Sequence, residues 1–286
     1  LDVNATGTAR IFEVIRNGGL DIRKVVLASS QAIFGEGPYR RDDGSTFHPP
    51  LRPLAQLDAG EWEVRDPATG AALDPLRAGE ELSPDGITPY ALSKYFEERA
   101  GLALGRSLGI PVVALRYAVT YGPRQSVHNP YTGVISIFAS RLLNGMPPVV
   151  FEDGRQTRDF IFVEDVARAN LHVMDSDEIG DDVLNVGTGV PTRMLDLAQE
   201  IASVLGLDLE PHLPGEYRPG DVRHFVHDPA KLNRLGFVAV HSVRDGLARF
   251  AEWVTAQGPI EERFSAAATR LRATGVIRPA GAPSGG

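Results

Sequence analysis

The chain has 286 residues, enough for one large domain or two small ones at the usual ~100–200 residues per domain. Apolar residues make up 43%, charged residues 23% and cysteine none, so a core can form without staples, while disulfides, zinc ribbons, iron–sulfur centres and thiol nucleophiles are excluded. A formal charge of −8 leaves no basic surplus for a nucleic-acid backbone.

In chain order, residues 1–8 read as the entry to a helix already under way in a fold. Residue 1 is Leu, not Met, and the chain is expected to be a fragment whose N-terminal part is missing. Ala9, Phe12, Ile15 and Val14 recur at helical spacing until Gly18 and Gly19 stop them. The apolar run 24–30 reads as a strand covered on both faces, the mark of a parallel sheet. Residues 36–88, rich in Pro, Gly, Asp and Arg, are too long for an ordinary loop and read as an insertion or lid. Residues 90–108 read as a helix with Leu92, Tyr95, Phe96, Ala100, Leu104 and Leu108 on one side, ended by Gly109 and Pro111. Then come a buried strand at 112–117, a helix at 134–143, a strand at 159–163, a helix at 166–174, a strand at 183–186 and a helix at 194–205. This alternation implies a parallel α/β sheet. Residues 279–286 read as a disordered tail. No apolar run approaches the ~20 residues of a bilayer span, and no charged-then-apolar leader opens the sequence. A cytoplasmic protein is expected.

Two features carry chemistry. Tyr90 and Lys94 lie four apart on a helix and share a face, so an ammonium can lower the pKa of a phenol placed to take a substrate proton; an ordinary Tyr–Lys pair on a solvated face has the same spacing. Upstream, Ser29-Ser30 ends a strand, and ligands of open parallel sheets sit at the carboxyl ends of strands; a serine that merely caps the strand is the other reading.

Ser29-Ser30-x-x-Ile33-Phe34-Gly35 followed by Tyr90-x-x-x-Lys94 resembles the extended short-chain dehydrogenase/reductase superfamily, and within it the NAD-dependent nucleotide-sugar epimerases and dehydratases. Further ordered matches run through about residue 240: Asn4-Ala5-Thr6-Gly7-Thr8; Arg116-Tyr117 with Tyr121-Gly122-Pro123-Arg124; Arg158-Asp159-Phe160 with Val163-Glu164-Asp165-Val166; Asn185-Val186-Gly187-Thr188-Gly189; and Arg218-Pro219-Gly220-Asp221. The resemblance implies a Rossmann-like doubly wound parallel sheet, its N-terminal part missing, with a smaller C-terminal substrate-binding α/β region. Residues 1–125 would be the later part of the NAD-binding domain, carrying the 36–88 insertion, and 126–278 mainly the nucleotide-sugar region, partly interleaved with the Rossmann sheet. It assigns Tyr90 as general base and acid, Lys94 to the nicotinamide ribose, Ser30 to the reacting oxygen, Asn4 to support of the helix near the cofactor, and Ala118 to the cofactor site. Arg158 and Arg218 would grip the nucleotide diphosphate, and Asp221 would touch the sugar or ribose or lock Arg218. NAD is the implied cofactor, a nucleotide-diphosphate sugar the implied ligand and a homodimer the implied assembly.

The departures matter too. No Gly-x-Gly-x-x-Gly occurs, so the pyrophosphate loop is expected ahead of Leu1, and the isolated chain is expected to bind NAD poorly. Val119 stands where many relatives carry an Asn that contacts the nucleotide sugar. Residues 66–70 stand where some relatives carry Cys-x-x-Cys, and His224 and His227 lie in an extended segment on opposite faces, so no metal is expected. Dehydrating relatives carry carboxylates where Gln31 and Ala32 stand. Their absence favours a 4-epimerase of a dTDP- or UDP-hexose through a 4-keto sugar, with a 4-ketoreductase or a truncated non-catalytic relative as alternatives.

Overall fold

The computed structural model describes residues 1–86, 88–129 and 133–281. A short π-helical turn leads into α1 (Gly7–Gly18), which Gly19 ends in the left-handed conformation at φ 56°. There follow β1 (Val25–Ser30), β2 (Tyr39–Arg40), β3 (Thr46–Phe47), α2 (Leu54–Asp58), β4 (Asp74–Pro75), α3 (Pro89–Leu108), β5 (Val112–Tyr117) and β6 (Val119–Tyr121). The chain continues through α4 (Val134–Leu143), β7 (Thr157–Phe162), α5 (Val163–Asp175), β8 (Asp182–Val186), β9 (Pro191–Arg193), α6 (Met194–Val204), β10 (Glu216–Tyr217) and β11 (His224–Phe225). It ends with α7 (Ala230–Arg234), α8 (Val243–Thr255), α9 (Phe264–Ala273) and β12 (Arg278–Pro279).

The first sheet is parallel, in the order β1-β5-β8, and is covered on both faces. Side chains of a strand alternate between faces, and β5 shows the consequence. Val112 and Ala114 pack with Phe12, Leu27 and Leu102 under α1 and α3, whereas Val113 and Leu115 pack with Ala169, Val173 and Leu184 under α5. On α3, Gly101 lets the helix approach β1: a Cβ there would collide with the Leu27 side chain.

A second sheet, β11-β7-β6, is parallel, with β9 antiparallel to β7. It packs with α4, α6 and α8 around Phe138, Phe160, Phe162, Leu197 and Phe250. Asp159 joins the sheets. Its buried carboxylate accepts the Thr188 hydroxyl at 2.6 Å and the Thr188 and Gly189 N–H groups at 3.0 Å, which gives the Arg-Asp-Phe and Gly-Thr-Gly motifs a structural reason.

Several sequence expectations need adjusting. The buried face of α3 is Ala91, Ser93, Glu97, Glu98, Gly101, Leu102 and Gly105, while Leu92 and Phe96 of the expected apolar side are exposed. β7 begins two residues before the expected 159, because Thr157 and Arg158 pair with both β9 and β11. α5 begins at Val163 with Glu164 and Asp165 in its first turn, where carboxylates suit the helix dipole. Residues 36–88 fold into a three-stranded antiparallel sheet, β3-β2-β4, around Tyr39, Val64 and Leu73. Asp66 caps the separate 66–70 turn by accepting the Ala68 N–H at 2.8 Å, and ties it to the residue after β2 by accepting Arg41 Nε at 2.9 Å. Of the expected tail, Pro279 pairs with Glu216 in β12, Ala280 N–H donates to the Gly215 carbonyl and Gly281 N–H to that of Asp58; the rest lies outside the described residues. Among those residues, no helix is long and apolar enough to cross a membrane.

Candidate active site

Ser30 ends β1 beside Tyr117, the last residue of β5. Its Oγ accepts the Ala32 N–H at 3.1 Å and caps the single helical turn 31–34. That turn meets the start of α3. Gly86 N–H donates to the Ile33 carbonyl at 2.8 Å, and a Cβ on Gly86 would meet the Ala32 carbonyl oxygen at 2.5 Å and the Ala91 Cβ at 2.6 Å. Glycine is what allows this close approach, and the approach brings the first turn of α3 to the carboxyl end of β1.

α3 starts one residue before the expected 90, with Pro89 at its first position and Thr88 Oγ1 accepting the Ala91 N–H at 3.1 Å. Tyr90 is 53% exposed. Its carbonyl accepts the Ser93 hydroxyl at 2.7 Å, and Ser93 Oγ in turn accepts from Asn4 Nδ2 at 2.9 Å. Asn4 therefore braces the turn that carries Tyr90. Lys94 Nζ donates to the Ala28 carbonyl at 2.7 Å and to Glu97 Oε2 at 2.8 Å. Neither bond joins it to the Tyr90 phenol, and an ammonium has a third N–H to give.

Behind these residues runs a buried chain of charge. Ser29 Oγ donates to Glu98 Oε2 at 2.8 Å, and Arg116 meets both Glu98 oxygens at 3.0 and 2.7 Å. The Arg116 guanidinium also lies 4.7 Å over the Phe34 ring and donates to the Glu80 carbonyl. Glu80 is pushed above the usual carboxylate range by burial. Ala118 links β5 to β6, buried, its N–H on the Val186 carbonyl at 2.9 Å. Next to it, burial raises the Tyr117 phenol, which donates to Asn170 Oδ1 at 2.8 Å.

The second cluster surrounds a cavity of about 260 Å³. Its walls include Val119, Ile137, Phe151, Met194 and Phe264, and its polar groups include Glu152, Arg158, Arg218 and Asp221. The two arginines differ. Arg158 Nη1 donates to the Thr157 and Arg223 carbonyls at 2.8 and 3.1 Å, and Nη2 to that of Val222, so much of its donor set is committed to backbone. Burial draws its pKa below the usual guanidinium value. Arg218 lies 4.8 Å over the Phe151 ring, and its Nε is buried without a partner. Asp221 opens to the cavity but is ringed by protein, which raises its pKa; Arg218 and Arg158 oppose that rise. A guanidinium with a partnerless Nε beside an aromatic ring in a largely apolar cavity suits a planar ring joined to an anion.

Residues 69–187 match the model of the NAD dependent epimerase/dehydratase family. Over 254 residues the chain is 33% identical to a dTDP-L-rhamnose 4-epimerase of Burkholderia thailandensis, covering 88% of this chain and 68% of that one. The chain belongs to this family of NAD-dependent epimerases and dehydratases. A putative UDP-glucose 4-epimerase of Methanocaldococcus jannaschii is 32% identical, covering 88% of this chain and 69% of that one. Among solved structures, the UDP-N-acetylglucosamine 4-epimerase of Methanobrevibacter ruminantium superposes with TM-score 0.70 at 29% identity, covering 90% of this chain and 70% of that one. The UDP-glucose 4-epimerase of Thermus thermophilus in complex with NAD superposes with TM-score 0.67 at 30% identity, covering 88% and 70%. The fold is thus the Rossmann fold of these epimerases, and NAD is the family's cofactor.

The nicotinamide end of NAD fits what is present in this family member. Lys94 has an uncommitted N–H near the carboxyl end of β1, and Gln31 Oε1 is buried there without a partner. No glycine-rich pyrophosphate loop occurs in these 286 residues. The structure thus gathers Asn4, Ser30, Tyr90 and Lys94 at one strand end, and Arg158, Arg218 and Asp221 around one cavity. Phe151 and Glu152 belong to no motif of the sequence; the run Pro148-Val149-Val150-Phe151 just before Gly154 is their only signal there. Glu97 and Glu98 belong to none either, and helical spacing alone puts them on a solvated face. His224 and His227 do not act together: His224 bonds Thr157 and Glu63, while His227 is buried against Phe34 and Phe225, its pKa drawn down to about 3 by burial.

Proposed function

We propose that the protein is a nucleotide-sugar 4-epimerase acting on a dTDP- or UDP-hexose through a 4-keto sugar. The observation that carries this reading is the composition of the strand end: Ser30, Tyr90 and Lys94 with no carboxylate following the serine. Ala32 contributes only its N–H to Ser30, and the neutral Gln31 amide cannot protonate a leaving hydroxyl. Dehydration needs an acid and a base there; epimerisation needs one group that removes and returns a proton. NAD, when bound, supplies the means to take up and return the C4 hydride. Tyr90 accepts the C4 hydroxyl proton and later gives it back. Ser30 hydrogen-bonds the same oxygen, Lys94 gives its remaining N–H to a ribose hydroxyl, and Asn4 holds the Tyr90 turn through Ser93. Ala118 offers a small surface beside the cofactor.

In this reading the 260 Å³ cavity takes the nucleotide, with the base against Phe151 and the diphosphate on Arg218 and the remaining donors of Arg158. Asp221 orients Arg218. Replacing Arg218 with Ala is expected to raise KM for the nucleotide sugar by the equivalent of about 1–3 kcal/mol while kcat stays near its starting value. Steady-state kinetics decide, and an unchanged KM counts against the assignment. A 4-ketoreductase uses the same three residues and is the second reading. It consumes one reduced cofactor per turnover, whereas the epimerase produces no net NADH. A homodimer is proposed through α1 and α3, whose outer faces expose Ile11, Val14, Leu92 and Phe96.

A further inference from the structure

The 36–88 segment reads from sequence as an insertion or lid, and it is fastened to the cavity by buried charges. Arg52, on the stretch between β3 and α2, has a side chain only 2% exposed. Its Nη1 donates to Glu152 Oε2 at 3.0 Å and to the Trp62 carbonyl at 2.8 Å. Its Nη2 donates to Glu152 Oε1 at 2.7 Å and to the Asp221 carbonyl at 2.9 Å. One guanidinium thus bridges both walls of the cavity: Glu152, next to Phe151, and the turn 218–221, which Asp221 N–H closes on the Arg218 carbonyl at 3.1 Å. Glu36 and Glu63 of the same segment add to the attachment. Glu36 accepts the Arg223 and His224 N–H groups at 2.8 and 3.0 Å, and Glu63 accepts Arg223 Nη2 at 2.5 Å. Arg223, fully buried, returns to Glu152 at 2.8 Å.

We propose that Arg52 is a positioning residue: from behind the cavity lining it holds the turn 218–221, and so the Arg218 guanidinium, against Phe151 and Glu152, making the 36–88 segment a fixed support for the wall of the anion site. The inference rests on reading that cavity as the nucleotide-diphosphate site. Its physical basis is the planar fork, which here makes four bonds, to both Glu152 oxygens and to the Trp62 and Asp221 carbonyls; an ammonium has only three N–H groups and no fixed plane. Arg52 touches neither sugar nor cofactor in this arrangement, so its loss falls on ligand grip and not on the chemical step.

The test has two arms that fail separately. The first is hydrogen–deuterium exchange of the free protein. In Arg52→Met, amides of 216–223 are expected to exchange faster, while those of α8 stay as they are. The second is calorimetric titration with UDP and with dTDP. Arg52→Met is expected to weaken whichever is bound by on the order of tenfold, with kcat changed less than about twofold, and Arg52→Lys is expected to recover only part of the affinity. Arg41→Met serves as the control, since its Asp66 pair lies in the same segment but not at the cavity. If Arg41→Met matches Arg52→Met in both arms, the effect is general loosening of the segment and the proposal falls. Unchanged exchange and unchanged affinity in Arg52→Met also overturn it. If the unaltered protein binds neither diphosphate, the reading of the cavity fails, and exchange alone decides the role of Arg52. Should Arg52→Met not fold, Arg52→Lys takes its place in both arms, and unchanged exchange and affinity in it sink the proposal.

Discussion

Replacing Tyr90 by Phe, in a form of the protein that carries the pyrophosphate loop, is expected to lower kcat by on the order of 10²–10⁴-fold and to leave KM nearly unchanged. Tyr90 is 53% exposed, so loss of its hydroxyl empties no core site and strands no buried partner. The turn that carries it is fixed elsewhere: by the Thr88 cap, by the Ser93 hydroxyl on the Tyr90 carbonyl and by the Asn4 bond to Ser93. The ring remains where it was. In the proposed mechanism only the group that changes protonation in the transition state has gone, so the loss is expected to fall on the chemical step. Steady-state kinetics with a melting curve for each variant check this. Near-normal turnover in Tyr90→Phe would remove Tyr90 from the mechanism.

Replacing Arg116 by Met is expected to destabilise the fold by about 3–5 kcal/mol, because removing one partner leaves an uncompensated buried charge. Glu98 is 1% exposed and receives its two strongest donors from Arg116, at 2.7 and 3.0 Å. Without them its remaining side-chain partner is the Ser29 hydroxyl. Loss of Arg116 also removes the guanidinium from the Phe34 face and from the Glu80 carbonyl. A domain holds only about 5–15 kcal/mol in total, so the variant sits near the edge of folding. Pairing Arg116→Met with Glu98→Leu is expected to restore most of the loss, since the pair is then replaced by apolar groups of similar size. Denaturant unfolding of the two single variants and the double variant measures this. A small effect in Arg116→Met, or no recovery in the double variant, contradicts it.

Those two residues also show where the sequence was legible. Strand and helix order followed from apolar runs and spacing; Tyr90 and Lys94 stood out by their helical spacing and Ser30 by its place at a strand end, while Asn4 came only with the family resemblance. The orientation of α3 was not legible. Leu92 and Phe96 have helical spacing but point outward, and the inner face holds Ser93, Glu97 and Glu98, each satisfied by a partner distant in sequence. A periodicity argument places charge in water and cannot see Arg116 waiting 18 residues away. Residues 36–88 were opaque for the same reason. Their small core joins Tyr39, Val64 and Leu73, and their attachment depends on Arg52 and Arg223 reaching carboxylates far along the chain. Within the cavity, Arg158 and Arg218 looked equivalent in sequence. Only the backbone carbonyls around Arg158 distinguish its guanidinium, much of it committed, from that of Arg218, whose Nε lacks a partner.

The central claim, epimerisation at C4 by return of the same hydride, is tested most directly by NMR on nucleotide hexoses deuterated at C4. A form of the protein that carries the pyrophosphate loop is incubated with NAD together with a dTDP-linked or, in a parallel run, a UDP-linked hexose. The expected result is a mixture of the two C4 epimers for at least one of them, reached from either side, with deuterium retained at C4 in both and no net NADH. A 4-keto-6-deoxy product, or turnover that consumes one reduced cofactor per molecule of sugar, would contradict it.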